Sequence, residues 1–199
     1  MSTRVGVLGI VGSPRHNGNT NCLVDTALRG AEEAGATTRK VFVADYSVAP
    51  CKACGACLKT GRCVSRDGMD ELVPLLQESR VWVLGTPVYW WGPTAQMKVF
   101  VDRWFAPWVL PKTRAMFDKR LAVVLTCLGD TDPAVARHTT GMFTDILEFL
   151  RIPIVATVVA HNVGDSGISE GVDVASHPDV LAQARDAGRA AVERAGRPS

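Results

Sequence analysis

The chain has 199 residues, long enough for one domain with a sizeable core, and its 47% hydrophobic content suits a globular protein. A formal net charge of +2 is too small to argue for nucleic acid or an anionic membrane surface as partner. Met1 to Val11 lacks the charged start and long apolar stretch of a secretory signal, and no apolar run reaches bilayer length, so a cytoplasmic location is expected.

Arg4 to Val11 (RVGVLGIV) reads as a buried strand. Asn19 to Ala34 reads as a helix, with Leu23, Ala27 and Ala31 at i, i+4, i+8 and Val24 and Leu28 widening the stripe. Lys40 to Ala44 is the second strand. Met69 to Ser79 is helical, with Asp67 as its cap and Pro74 expected to kink it or delay its start. Arg80 to Gly85 is the third strand. Thr94 then caps a helix whose Met97, Phe100, Val101 and Trp104 form one apolar face. Leu121 to Leu125 is the fourth strand, Ala134 to Leu150 the fourth helix and Ile154 to Val159 the fifth strand. Pro178 opens a last helix ending near Gly196.

Five apolar strands alternating with helices imply a parallel sheet covered on both faces. Right-handed crossovers make the natural arrangement a single α/β domain over residues 1–199, doubly wound and flavodoxin-like, with strand order 2-1-3-4-5. Ligands of such sheets sit beyond the carboxyl ends of the strands, beside the switch point, so the loops after strands one, three and four should carry the function.

The first of these loops is Gly12-Ser13-Pro14-Arg15-His16-Asn17-Gly18-Asn19-Thr20. A phosphate there would meet free backbone N–H groups and the positive end of the first helix. Ser13, Asn19 and Thr20 add neutral donors and Arg15 a bidentate charged one. With no Walker lysine and no G-x-G-x-x-G, nucleoside triphosphate and Rossmann dinucleotide readings lose ground. The second loop, Thr86 to Pro93, holds three consecutive aromatics between prolines. Exposed aromatics are costly unless they cover something flat or a partner subunit, and an isoalloxazine ring would suit them.

Between strand two and the next helix, in a cysteine-rich loop at about residues 47–66, lies CKACGACLKTGRC, with Cys51, Cys54, Cys57 and Cys63 spaced x2, x2 and x5. Thiolates this close can converge on one point, as in a four-cysteine [4Fe–4S] signature. Zinc is the competitor, although its structural sites usually pair two CxxC knuckles across a long loop. A disulfide framework suits small secreted domains, and the spacing can also be coincidence. Cys22 and Cys127 stand apart and read as small buried hydrophobes.

Taken together, GSPRHNGNT, CKACGACLKTGRC and GTPVYWWGPTAQMKVFVDRW resemble the iron–sulfur flavoprotein branch of the NADPH-dependent FMN reductase superfamily. The resemblance covers about half the chain, from the first strand to Asp102-Arg103, and the remainder fits in its order of strands and helices. It implies a flavodoxin-like fold holding FMN, with the phosphate near Ser13, Arg15, Asn19 and Thr20. The flavin ring would lie against Pro87, Val88, Tyr89, Trp90, Trp91 and Gly92, and a [4Fe–4S] cluster on Cys51, Cys54, Cys57 and Cys63. It further implies a homodimer or homotetramer with both cofactors near subunit contacts.

The expected function is then an FMN-dependent iron–sulfur oxidoreductase, passing electrons between a reduced donor or small-molecule substrate and an acceptor, which can be a redox partner protein. Three alternatives stay open: a cluster-free NAD(P)H-dependent FMN or quinone reductase, a non-enzymatic electron carrier, and a dehydrogenase of a biosynthetic small molecule. NAD(P)H is a candidate donor, since nicotinamide can stack on a flavin without a dedicated motif. No catalytic side chain is assigned. Asp102 and Arg103 read as neighbouring or surface ion pairs, and Tyr89 as a candidate proton donor beside the flavin.

Overall fold

A computed structural model describes residues 4–164, 171 and 173–197. Its strands β1 (Gly6–Val11), β2 (Thr37–Phe42), β3 (Val81–Pro87), β4 (Leu121–Cys127) and β5 (Ile154–Ala160) form one sheet in the order β2-β1-β3-β4-β5. Every pairing is parallel, with Ile10 of β1 facing Val41 on one side and Leu84 on the other. All seven β4 residues are buried, as a strand covered on both faces requires.

The helices are α1 (Asn19–Glu33), α2 (Cys57–Thr60), α3 (Met69–Glu78), α4 (Ala95–Asp102), α5 (Phe105–Trp108), α6 (Pro111–Arg114), α7 (Arg137–Phe149) and α8 (Pro178–Ala195). One core lies between the sheet and α1 with α8, and includes Leu23, Val24, Ala27, Val83, Val123 and Ala187. The other lies between the opposite face and α3, α4 and α7, around Trp82, Phe100, Trp104 and Phe143. Burial of each such large side chain contributes roughly 1.5–3 kcal/mol.

Helices α1 and α8 approach each other through glycine. A Cβ on Gly30 would stand 1.9 Å from the Arg185 carbonyl oxygen, and one on Gly188 would stand 1.9 Å from that of Ala27. No larger residue fits at this crossing without moving backbone.

The strand order is the one expected from the sequence, and the boundaries differ where pairing overrides pattern. β2 runs over Thr37–Phe42, three residues ahead of the apolar run, and Val43–Asp45 form a 3₁₀ turn. As an edge strand β2 is set by its ladder with β1, which begins at Gly6 and Thr37, so polar residues suffice there. β3 extends to Pro87, which pairs with Cys127. The fourth long helix is split into a 3₁₀ turn, Pro133–Ala136, and α7. Pro74 lies inside α3 and does not delay its start.

Trp104, which the sequence places on the apolar face of the helix after Thr94, lies just past the end of α4 and is only 3% exposed. Its ring packs against Trp82, Phe100 and Phe117. The segment following it, with no element expected, winds into α5 and α6.

Candidate functional site

The loops after β1, β3 and β4 meet at the carboxyl end of the sheet. They enclose a cavity of about 350 Å³ lined by Ser13, Arg15, Gly18, Asn19, Thr20, Pro87, Val88, Tyr89, Trp90, Cys127, Leu128, Gly129 and Val163. Eight of the ten flavin-contact candidates from the sequence are in this lining. Trp91 and Gly92 belong to the adjoining turn and are not in it.

The first loop is held from several sides. Gly12 donates its N–H to the Gly85 carbonyl at 2.7 Å. The Thr94 hydroxyl donates to the Gly12 carbonyl at 2.5 Å and accepts the Met97 N–H at 3.2 Å, so the cap of α4 also anchors this loop. Ser13 is buried, and its hydroxyl oxygen accepts the Arg15 N–H at 3.1 Å, which fixes a local turn and leaves the hydroxyl proton to donate. His16 stacks on Phe42 and bonds Asp45 at 2.9 Å, a surface pin at the edge of the loop.

Asn19 has a different task from a simple phosphate donor. Its amide nitrogen donates to the Gly164 carbonyl at 3.0 Å, and its oxygen accepts the Val174 N–H at 2.9 Å. It thus ties the start of α1 to the chain beyond β5. The Thr20 hydroxyl lies 3.0 Å from the Cys127 sulfur. Cys127 is therefore part of the cavity wall as well as a buried hydrophobe.

The aromatic loop closes on itself. Tyr89 and Gly92 exchange both backbone hydrogen bonds, at 2.8 and 3.0 Å, around Trp90 and Trp91, whose φ angles are 49° and 63°. Positive φ at both central residues defines a type I′ turn, normally the place of Asn and Gly. Left-handed backbone costs a non-glycine residue roughly 1–2 kcal/mol, so two tryptophans here are held against their preference. Thr139 helps by donating to the Trp91 carbonyl at 3.2 Å. The turn leaves Trp90 91% exposed at the cavity mouth.

Sequence reasoning pointed to the loop after β4 without naming residues in it. Cys127 at the end of β4 and Leu128 and Gly129 after it carry no motif of their own, and only the strand order indicated where they would lie; Val163, which completes the lining, follows β5.

Cys51, Cys54, Cys57 and Cys63 line a second cavity, of about 400 Å³, with Asp102, Arg103, Phe105 and Ala106 on its other side. All four are free thiols, exposed or partly so. Ala53, at φ 51°, lets the chain turn back between cysteines. Gly61, at φ 68°, ends the single-turn helix α2 and donates to the Cys57 carbonyl at 2.7 Å. Burial pushes the Cys57 thiol above its ordinary pKa, and the Cys63, Cys51 and Cys54 sulfurs push the same way. Among the described residues, no three His, Cys, Asp or Glu side chains are gathered closely enough to hold a single metal ion. A cluster spaces its thiolate ligands more widely than one ion does. In number and chemistry, four free thiols on one cavity suit such a group.

Arg103 departs from the expected surface pairing. Lys98 and Asp102 do pair in the open at 2.6 Å, but the Arg103 side chain is only 2% exposed. Its guanidinium takes Asp67 at 2.6 and 3.2 Å and the Ala49 carbonyl at 2.7 Å. Burial disfavours the Arg103 charge, yet the Asp67 hydrogen bonds and charge, together with the nearby Cys63 sulfur, outweigh it and raise the pKa. Burial likewise works to raise the Asp67 carboxyl, but Arg103 and the Met69 and Ala49 N–H groups hold it below the usual range. Asp67 also caps α3 as expected, accepting the Met69 N–H at 3.1 Å.

The pattern of the family described as NADPH-dependent FMN reductase matches residues 5–163. An iron–sulfur flavoprotein from Archaeoglobus fulgidus is 46% identical over 96 residues, 48% of this chain and 44% of the relative. Another, from Methanocaldococcus jannaschii, is 33% identical over 153 residues, 73% of this chain and 74% of the relative. Among solved structures, the NAD(P)H:quinone oxidoreductase from Methanothermobacter marburgensis superposes with a TM-score of 0.73 at 18% identity, covering 94% of this chain and 96% of that one. At that identity the likeness speaks for the fold alone. The chain belongs to the NADPH-dependent FMN reductase family of flavin oxidoreductases, in its iron–sulfur flavoprotein branch. It spans about half the length of the first curated relatives it matches.

Proposed function

We propose that the chain binds FMN in the cavity at the carboxyl ends of β1, β3 and β4, and a [4Fe–4S] cluster on Cys51, Cys54, Cys57 and Cys63. In this reading it is an oxidoreductase that passes electrons between a reduced donor, NAD(P)H or a small-molecule substrate, and an acceptor. The observation that carries the reading is the pairing of two cavities in one chain, one bounded by the anchored turn and the aromatic hairpin, the other by four free thiols.

FMN exchanges electrons as a hydride or singly, and a [4Fe–4S] cluster singly, so the pair would link two-electron and one-electron chemistry. The chain's own residues bind and orient. The N-terminus of α1 with Ser13, Arg15 and Thr20 would receive the phosphate. Pro87, Val88 and Tyr89, with the neighbouring Cys127, Leu128 and Gly129, would bound the ring, with Trp90 excluding water at the mouth.

Exposed Trp90, Trp91 and Phe105 favour a closed homo-oligomer, a dimer or tetramer, which light scattering would test. A reducing cytoplasm, where thiols stay free, belongs to the same reading. Among the described residues no helix is long and apolar enough to cross a membrane.

The test is purification without air, followed by quantitation of flavin, iron and inorganic sulfide. FMN with iron and sulfide in equal amounts is the expected result. Zinc without sulfide would remove the cluster and leave a flavin reductase. Recovery of FAD, or of no flavin, would overturn the reading as a whole.

A further inference from the structure

We propose that Arg103 is the positioning residue of the cysteine-rich loop, locking its two ends and holding an N–H donor for a sulfur of the cluster. The inference rests on the cluster reading above and assigns to this chain a residue that reading does not need.

The loop carrying the four cysteines has no strand, and its one helix is a single turn, so something else must set its shape. Arg103 takes the carbonyl of Ala49, two residues before Cys51, at 2.7 Å. It also makes a longer contact, 3.5 Å, with the carbonyl of Ser65, two residues after Cys63. Asp67, paired with Arg103, accepts the Ala49 N–H at 3.1 Å. Both ends of the loop are thus fastened to one guanidinium at the C-terminal end of α4.

A buried ion pair is expensive to desolvate and seldom adds stability that apolar residues could not supply. Its presence under this loop points to a geometric and electrostatic task. Four thiolates holding a cluster would concentrate negative charge, and of Lys52 and Arg103, the two cations lining that cavity, Arg103 is the buried one, its side chain 2% exposed. Of the five N–H groups of a guanidinium, those on the terminal nitrogens serve Asp67, Ala49 and Ser65. Nε is buried and meets no acceptor at hydrogen-bond geometry among the described residues, while the Cys63 side chain lies close enough to favour the Arg103 charge. An orphaned donor in a dry site is costly, and a thiolate or sulfide beside it is the acceptor that would satisfy it. Hydrogen bonds to sulfur and nearby charge are also what set iron–sulfur reduction potentials.

The experiment compares the wild type with Arg103→Lys and Arg103→Met, each prepared without air and reconstituted with iron and sulfide. Iron and sulfide per FMN, the rate of iron loss to a chelator, and the cluster midpoint potential are measured. Arg103→Met is expected to lose iron roughly 10–100-fold faster, the usual effect of removing an outer-shell partner, with a more negative midpoint and unchanged FMN. Arg103→Lys keeps the charge without the fork, so iron loss speeds up while the midpoint stays closer to wild type. If Arg103→Met does not fold, faster iron loss at unchanged FMN in Arg103→Lys still decides. Iron retention and midpoint equal to wild type in the folded variants would overturn the proposal. Wild-type protein that takes up no iron and sulfide would refute the cluster reading, and this inference with it.

Discussion

The hydroxyl of Thr94, at the start of α4, lies 2.5 Å from the carbonyl oxygen of Gly12, at the end of β1, although 82 residues separate them. One side chain therefore caps a helix and fixes the loop that opens the cavity proposed for FMN. Thr94→Val keeps the shape and removes both bonds. Loss of the cap and of a buried hydrogen bond should lower stability by about 1–3 kcal/mol, and Thr94→Ser should restore most of it. Urea unfolding followed by circular dichroism checks this.

Arg15 lines the cavity beside the N-terminus of α1. Arg15→Ala should weaken FMN binding by about 1–3 kcal/mol, the range for a hydrogen bond to a charged group. Titration of the apoprotein with FMN, read by quenching of flavin fluorescence, measures it, and unchanged affinity would remove Arg15 from the site.

The four clustered cysteines should act as a unit. Cys57→Ala and Cys63→Ala are expected to lose most iron and sulfide while keeping FMN, because the cavity proposed for FMN is built from other loops. Cys22→Ala should leave iron content unchanged, since Cys22 lies on α1 against the core. A ligand variant that retains full iron would show a different ligand set.

Acid should loosen the contact between α1 and α8. Glu33 is bonded by Arg185 and also pairs with Arg189, and these partners lower its pKa from 4.5 to about 2. A carboxyl lowered on folding stabilises the fold fully above its unfolded pKa and loses that contribution as pH falls through the folded one. The contribution of Glu33 should fade between pH 4.5 and about 2, and Glu33→Gln should show less acid dependence there. Thermal midpoints across that range, at low salt, report the difference.

The sequence by itself determined the architecture. Apolar runs of strand length alternating with helical stripes, joined by crossovers of one hand, leave little besides a doubly wound sheet in the order found. It also marked the turn after β1, the aromatic loop after β3 and the cysteine run, because glycine, proline, tryptophan and clustered cysteine signal locally. Only the tertiary structure decided which side chains those loops rely on. Asn19 reaches Gly164, 145 residues away, and Thr20 meets Cys127, 107 residues away. Arg103 reaches Ala49 across 54 positions and Asp67 across 36. Periodicity reports which face of an element is apolar, and so placed Trp104 on a helix stripe, but burial on that stripe depends on what the fold brings against it. β2 starts early for the same reason: its ladder with β1, a non-local pairing, sets the strand where local hydrophobicity is silent.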